Sequence, residues 1–155
     1  MVIKQKISTC LWFSDKAEEA VKFYTSVFNN SRITNVLPGP DGKAIALNFV
    51  LDGTEFQALN DNPNFEFTES TSLSVNCKTQ AEVDELWDTL TADGGEESMC
   101  GWLKDKYGLS WQVVPEGIYE LFTSPDREKA DRAMQAMMKM RKLDIAKLKA
   151  AFNGQ

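Results

Sequence analysis

Histidine is absent from the 155 residues, and no other gap in the composition removes as much chemistry. It is the commonest metal ligand and the one side chain whose unperturbed pKa lies near neutrality. Without it there is no Ser-His-Asp or Cys-His catalysis, no HExxH zinc site and no two-histidine-one-carboxylate iron centre. Cysteine is scarce too. Cys10, Cys77 and Cys100 are odd in number and lack CxxC spacing, which argues against a disulfide framework or zinc knuckle and for a reducing, cytoplasmic setting. No apolar run approaches the roughly 20 residues that span a bilayer, and the opening Met1-Val2-Ile3-Lys4-Gln5-Lys6 has polar residues where a signal core would stand. No membrane partner is therefore expected. Basic residues are outnumbered, 17 against 23 acidic, for a net charge of -6, so nucleic acid is not an expected partner either. The remaining proportions, 43% hydrophobic and 26% charged, are those of an ordinary globular chain. The length suits one domain, or two closely packed halves, with a core that needs no metal or disulfide.

The pattern along the chain repeats. Ile7 to Phe13 reads as a strand, Asp15 and Glu18 as a capping box, and Ala17, Ala20, Val21, Tyr24, Val27 and Phe28 as the apolar face of a helix. Three strands follow, Arg32 to Leu37, Lys43 to Leu51 and Glu55 to Leu59, separated by Pro38-Gly39-Pro40-Asp41-Gly42 and Asp52-Gly53. A second strand at Leu73 to Cys77 leads to a capping box at Thr79 and Glu82, and Val83, Leu86, Trp87 and Leu90 form the helical stripe. Strands near Glu97 to Leu103 and Leu109 to Val114 complete it. A shift of about 64 residues superposes Ala17-Glu18 on Ala81-Glu82, as an internal duplication would; two unrelated helices with ordinary caps would also satisfy these residues. From Ser124-Pro125-Asp126 the chain turns rich in Ala, Met, Lys and Arg. Ser124 is the expected cap of a helix running to about Lys142 with Met134, Met137 and Met138 on its stripe, and Asp144 the cap of a last helix. The Met-rich tail has the character of a surface that docks on a partner.

The run Cys100-Gly101-Trp102-Leu103-Lys104-Asp105-Lys106-Tyr107-Gly108-Leu109-Ser110-Trp111-Gln112-Val113-Val114-Pro115 resembles the signature of PhnB-like proteins (3-demethylubiquinone-9 3-methyltransferase-like), in the glyoxalase, bleomycin-resistance and extradiol-dioxygenase superfamily, also called vicinal oxygen chelate. Leu11-Trp12-Phe13, Ala17 to Tyr24, Val83 to Trp87 and the tail are similar to that family as well. The resemblance implies an α+β fold in which two βαβββ modules, 1–60 and 68–122, form a concave mixed sheet, with a helical tail at 123–155, all within one glyoxalase-like domain.

It also implies where a metal would sit, on the first and last strand of each module. Those places match Ser8 (or Thr9), Gln57, Ser70 and Gln112. None is His, Asp or Glu, and a divalent ion needs carboxylate, thiolate or imidazole. The expected cofactor is none and the expected metal is none. Alternation along the strands then sends Ser8, Cys10 and Trp12, and Ser70, Ser72, Ser74 and Asn76, into the concavity, joined by Gln57, Ser110 and Gln112. Such a wall suits a neutral or weakly charged small organic molecule; serine-rich faces are also simply solvated, and Trp12 and Trp111 also suit a core. Cys10 and Cys100 have no histidine to deprotonate them, which leaves spectator thiols as the simpler role. Three functions stay open: a metal-free small-molecule-binding protein, an enzyme of the same superfamily with an unorthodox site, and a dimeric interaction module with a vestigial pocket. A homodimer is expected, with the Asn60-Asp61-Asn62-Pro63-Asn64 link long enough to pair modules within or between chains.

Overall fold

A computed structural model describes residues 5–155; residues 1–4, which belong to the opening stretch read above, lie outside it. The chain divides into two compact units between Glu66 and Phe67. The first is β1 (Thr9–Trp12), α1 (Ala17–Val27), β2 (Arg32–Pro38), β3 (Ala44–Leu51) and β4 (Thr54–Leu59), in a four-stranded sheet of order β1-β4-β3-β2. The second is β5 (Ser72–Cys77), α2 (Gln80–Thr91), β6 (Glu96–Glu97), β7 (Trp102–Lys104) and β8 (Ser110–Pro115), in the order β5-β8-β7-β6. In each sheet the first and last strands of the module pair in parallel and the others antiparallel. This is an α+β fold of two four-stranded mixed sheets.

Each helix covers one face of its sheet. Ala17, Ala20, Val21 and Tyr24 are buried on α1, which packs on β3, and the alternate strand residues Leu11, Leu47, Phe49 and Ala58 are buried with them. Small alanines let the helix approach the strands closely. On α2 the stripe Val83, Leu86, Trp87 and Leu90 is buried, as are Leu103, Trp111 and Val113 on the strands that it contacts. Thr79 caps α2 as its sequence indicates, accepting the Glu82 N–H at 3.2 Å, while the Glu82 carboxylate takes the Lys78 N–H at 2.7 Å.

The cap of α1 differs from expectation. Asp15 does not cap the helix; its carboxylate pairs with Lys43. The Ala17 N–H donates instead to Oδ1 of Asn60, at 2.9 Å. β1 is shorter than Ile7 to Phe13, because Ile7 lies in a bend and is 82% exposed. The run Glu97 to Leu103 is two strands, not one: Cys100 (φ 61°) and Gly101 (φ 84°) turn the chain in the left-handed region between β6 and β7. That turn gives the second module its full strand count.

Three helices follow β8, α3 (Ile118–Phe122) at the end of the second module and α4 (Arg127–Met137) and α5 (Ile145–Asn153) in the tail. Asp126, not Ser124, caps α4, accepting the Lys129 N–H at 3.2 Å, and the helix stops at Met137. Asp144 caps α5 through the Lys147 N–H at 3.0 Å, as expected. Met137 and Met140 pack on a buried cluster of Val114, Ile118, Leu143 and Leu148. Of the methionine stripe Met137 is thus spent on its own module, while Met138 stays 58% exposed. The loop between α4 and α5 is held at several points. Cys100 and Gly101 N–H donate to the Met140 and Arg141 carbonyls, both at 2.8 Å. The Gln80 amide donates to the Leu143 carbonyl at 3.0 Å and accepts the Ile145 N–H at 2.8 Å.

Candidate functional site

Strand register sorts the face of the first sheet that lies away from α1. Cys10 is opposite Gln57, Gln57 opposite Asn48, and Asn48 opposite Asn35, so one row across all four strands is a thiol and three amides. Two residues further along β1, Trp12 is opposite Leu59, Leu59 opposite Ala46 and Ala46 opposite Leu37, an apolar row. The side chains of Gln57, Asn48 and Asn35 make no hydrogen bond among the described residues. Ser8, which precedes β1, joins Gln57, Asn48, Thr34, Glu55, Phe49 and Phe56 around a depression whose enclosed volume of about 10 Å³ holds one water at most. The Thr34 hydroxyl there is buried without a partner among the described residues. A bulge between Ile33 and Asn35 puts Thr34 there.

Asn60 and Asn62, which the sequence places in the linker, tie the ends of β1 and β3 and the start of α1 together. Both are buried. Besides capping α1, Asn60 donates from Nδ2 to the Ala44 carbonyl at 2.8 Å, and its own carbonyl accepts the Trp12 indole N–H at 2.7 Å. Asn62 donates from Nδ2 to the carbonyls of Trp12 at 3.1 Å and Phe65 at 2.8 Å, and accepts the Phe65 N–H at 2.5 Å. These bonds set the Phe65 ring 5.4 Å from that of Trp12 at 59°. The one signal in the sequence was the density of asparagine just after β4.

In the second sheet Ser74 is opposite Gln112 and Gln112 opposite Trp102, while Ser72 is opposite Ser110 and Ser110 opposite Lys104. The Gln112 amide donates to the Ser72 hydroxyl at 2.9 Å. Ser110 is buried, its hydroxyl without a partner among the described residues. Ser70, expected on the strand, lies before β5 in an exposed turn, its hydroxyl 2.6 Å from that of Thr68. Trp111 is a core residue; its indole N–H donates to Asp105 at 2.9 Å.

The four places matched to metal ligands therefore fall two to each module, all of them neutral. Ser70 is off its strand and Gln112 is tied to Ser72, so the donor set does not fit a divalent ion. Among the described residues no three His, Cys, Asp or Glu are grouped to hold a metal, and no helix is long and apolar enough to cross a membrane. Burial pushes the Cys10 thiol up from its usual range, and burial with the nearby Glu82 carboxylate pushes Cys77 up to about 12. Neither is an activated nucleophile.

A family model described as 3-demethylubiquinone-9 3-methyltransferase matches residues 5–114. The PhnB protein of Bacillus cereus is 39% identical, with a TM-score of 0.67, over 72% of this chain and 99% of that one. A fosfomycin resistance protein, FosX, from Listeria monocytogenes is 15% identical with a TM-score of 0.57, covering 77% of this chain and 97% of that one; at that identity the likeness is one of fold. Among curated proteins, a 33 kDa chaperonin from Prochlorococcus marinus (strain MIT 9515) is 28% identical over 109 residues, 67% of this chain. The match spans 33% of that relative's length.

Proposed function

Because the chain belongs to the 3-demethylubiquinone-9 3-methyltransferase family, the PhnB-like branch of the glyoxalase and bleomycin-resistance superfamily, we propose that it is a cytoplasmic, metal-free protein that binds a small organic molecule. The observation that carries this is the row of amides without partners among the described residues, Gln57, Asn48 and Asn35, lying beside the apolar row that contains Trp12. Gln57 and Asn48 are half-buried and Asn35 is exposed; such amides are ready to trade hydrogen bonds with a ligand, and an adjoining indole supplies area. In the second module Ser72, Ser74 and Gln112 offer similar chemistry. Ser8, Gln57, Ser70 and Gln112 supply only neutral oxygen and nitrogen, and the metal-free reading rests on that donor chemistry. The family's name speaks of methyl transfer. The strand-to-helix turns Phe13-Ser14-Asp15-Lys16 and Lys78-Thr79 contain no glycine, so neither is the glycine-rich loop that cradles a nucleotide-like cofactor, and that activity is not carried over.

The test is a thermal-shift screen of small organic molecules on protein purified without a metal column, with metal content measured beforehand. Ligand at about 100 times its Kd raises stability by about 2.7 kcal/mol. Trp12→Ala is expected to abolish that shift for any hit while leaving the unliganded fold intact. A hit that binds Trp12→Ala and Gln112→Ala as tightly as the parent, or one transition metal per chain at Ser8, Gln57, Ser70 and Gln112, would refute the proposal.

The protein is further expected to be a homodimer. Support comes from the first module, where Val36, Leu37 and Ile45 are exposed on the two faces of the β2–β3 end, and from the commonness of symmetric dimers among oligomers. Light scattering at micromolar concentration should return about twice the chain mass of 17.4 kDa. A single-chain mass that persists as concentration rises would rule the dimer out.

A further inference from the structure

After β8 the chain passes through Glu116 and Gly117 into α3, and α5 returns to pack beside it. The two helices do not close fully on each other. Between them and the end of β8 lies a cavity of about 120 Å³, lined by Ile118 and Leu121 of α3 and by Ile145 and Leu148 of α5. Residues three apart share a helix face, so each pair turns one side of its helix to the space. Ile118 and Leu148 also belong to the buried cluster that anchors the tail. Native interiors leave few voids larger than a water molecule, and this one stands at the seam between the second module and its tail.

Volume limits what fits. An apolar cavity of about 150 Å³ admits benzene, with its six carbons, so by proportion about 120 Å³ takes four or five. A branched aliphatic group has that size, and the walls are branched aliphatic side chains. The mouth says what such a group is attached to. Glu116, Gly117 and Lys149 are the exposed members of the lining. Gly117 holds φ 83°, and a Cβ there would meet only the Glu120 carboxylate, at 3.9 Å, so the opening is clear. Glu116 and Lys149 bring opposite charges to one cavity, yet neither forms an ion pair with the other or with any described residue. A molecule bearing only a carboxylate would suit Lys149 and be opposed by Glu116, and one bearing only an ammonium would meet the reverse. A zwitterion satisfies both.

We propose that this cavity is a binding site for a free aliphatic α-amino acid of the size of leucine. The branched side chain fills the space between α3 and α5, the ammonium group meets Glu116 and the carboxylate meets Lys149. The site lies wholly within the second unit and uses no residue of the first sheet, so it stands apart from the binding role proposed above.

The test is a titration of the full chain, labelled with nitrogen-15 and with carbon-13 in its Ile and Leu methyl groups, with L-leucine, N-acetyl-L-leucine, L-leucinamide and glycine. The two capped forms keep the side chain and each lacks one charge; they stand for the C-terminal and N-terminal residue of a peptide. Leucine is expected to shift the methyl signals of Ile118, Leu121, Ile145 and Leu148, and to bind about fivefold more tightly than either capped form, the effect of one exposed ion pair. Glycine, which has nothing to place in the cavity, should leave those signals unmoved. Glu116→Gln should lower the affinity for leucine to that for N-acetyl-L-leucine, and Lys149→Gln should lower it to that for L-leucinamide; both positions are exposed, and spectra without ligand check that each variant is folded. If leucine leaves the four residues unmoved at tens of millimolar, or shifts the Trp12 indole N–H in their place, the site is refuted. A capped form that binds as tightly as leucine overturns the free amino acid in favour of a peptide end. An affinity for leucine that survives both charge substitutions removes the roles given to Glu116 and Lys149.

Discussion

Asn60→Asp is expected to destabilise the protein by about 2–4 kcal/mol at neutral pH, the scale of a buried, mispaired charged group, and to recover part of that loss in acid. One oxygen of the introduced carboxyl can still accept the Ala17 N–H. The other takes the place of Nδ2 and faces the Ala44 carbonyl, 2.8 Å from the atom it replaces, oxygen against oxygen in a site 5% exposed. Burial and that carbonyl raise the folded-state pKa of the new group above its unfolded value near 4. A raised pKa means that the folded state holds the proton more tightly. The deficit is then full above the folded pKa and shrinks as pH falls towards the unfolded one, because the protonated acid can donate to Ala44. Asn60→Ala, which orphans the same two backbone groups without adding charge, should cost about 2 kcal/mol at every pH. Urea midpoints at pH 7 and pH 4.5 decide the matter. An Asn60→Asp deficit that is absent at pH 7, or identical at both, would show that the side chain is not the cap of α1.

Asp105→Asn is the second large effect, in the other module. Oδ1 of Asp105 accepts the N–H groups of Tyr107 at 2.8 Å and Leu109 at 3.1 Å, and Oδ2 accepts the Trp111 indole N–H at 2.9 Å. Both oxygens are thus pure acceptors, in a residue 2% exposed. An amide of the same shape must point its NH₂ either at the indole donor or at the two backbone donors. Either choice sets donor against donor, at a cost of about 3 kcal/mol, which is about 6–12 °C in melting temperature for a chain of this size. Near-ultraviolet circular dichroism should lose the Trp111 signal along with it. A melting temperature within a degree or two of the parent would mean that the turn does not depend on the carboxylate.

Local pattern made some of this fold legible and missed the rest for one physical reason. The Thr79 cap, the Val83-Leu86-Trp87-Leu90 stripe and the hairpin strands β3 and β4 depend on residues a few positions apart, and their spacing shows in the sequence. The cap of α1 lies 43 positions away at Asn60, beyond any local rule, so Asp15 took its place in the expectation although the folded chain pairs it with Lys43. The β6–β7 turn was hidden because Cys100 adopts a positive φ uncommon for its type, and only the following Gly101 signalled it. At the candidate site, alternation correctly put Cys10, Trp12 and Gln57 on one face, since β1 and β4 pair in register. It failed at Ser70, whose strand begins two residues later. Asn60, Asn62 and Phe65 escaped notice because they act through backbone bonds, which a side-chain pattern does not record.

The fastening of the α4–α5 loop bears on how the protein is made. Gln80 meets Ile145 across 65 residues of chain, and the Cys100-Gly101 turn meets Met140 and Arg141. On the ribosome the first module is entire once its own 66 residues have emerged, and it can fold while synthesis continues. The second has no such early opportunity. Its Val114 and Ile118 wait for Leu143 and Leu148, so the nascent second sheet stays sticky until those residues have emerged. A stop codon shortly before Leu143 would leave the family-matched residues 5–114 complete and still release a chain in need of a chaperone.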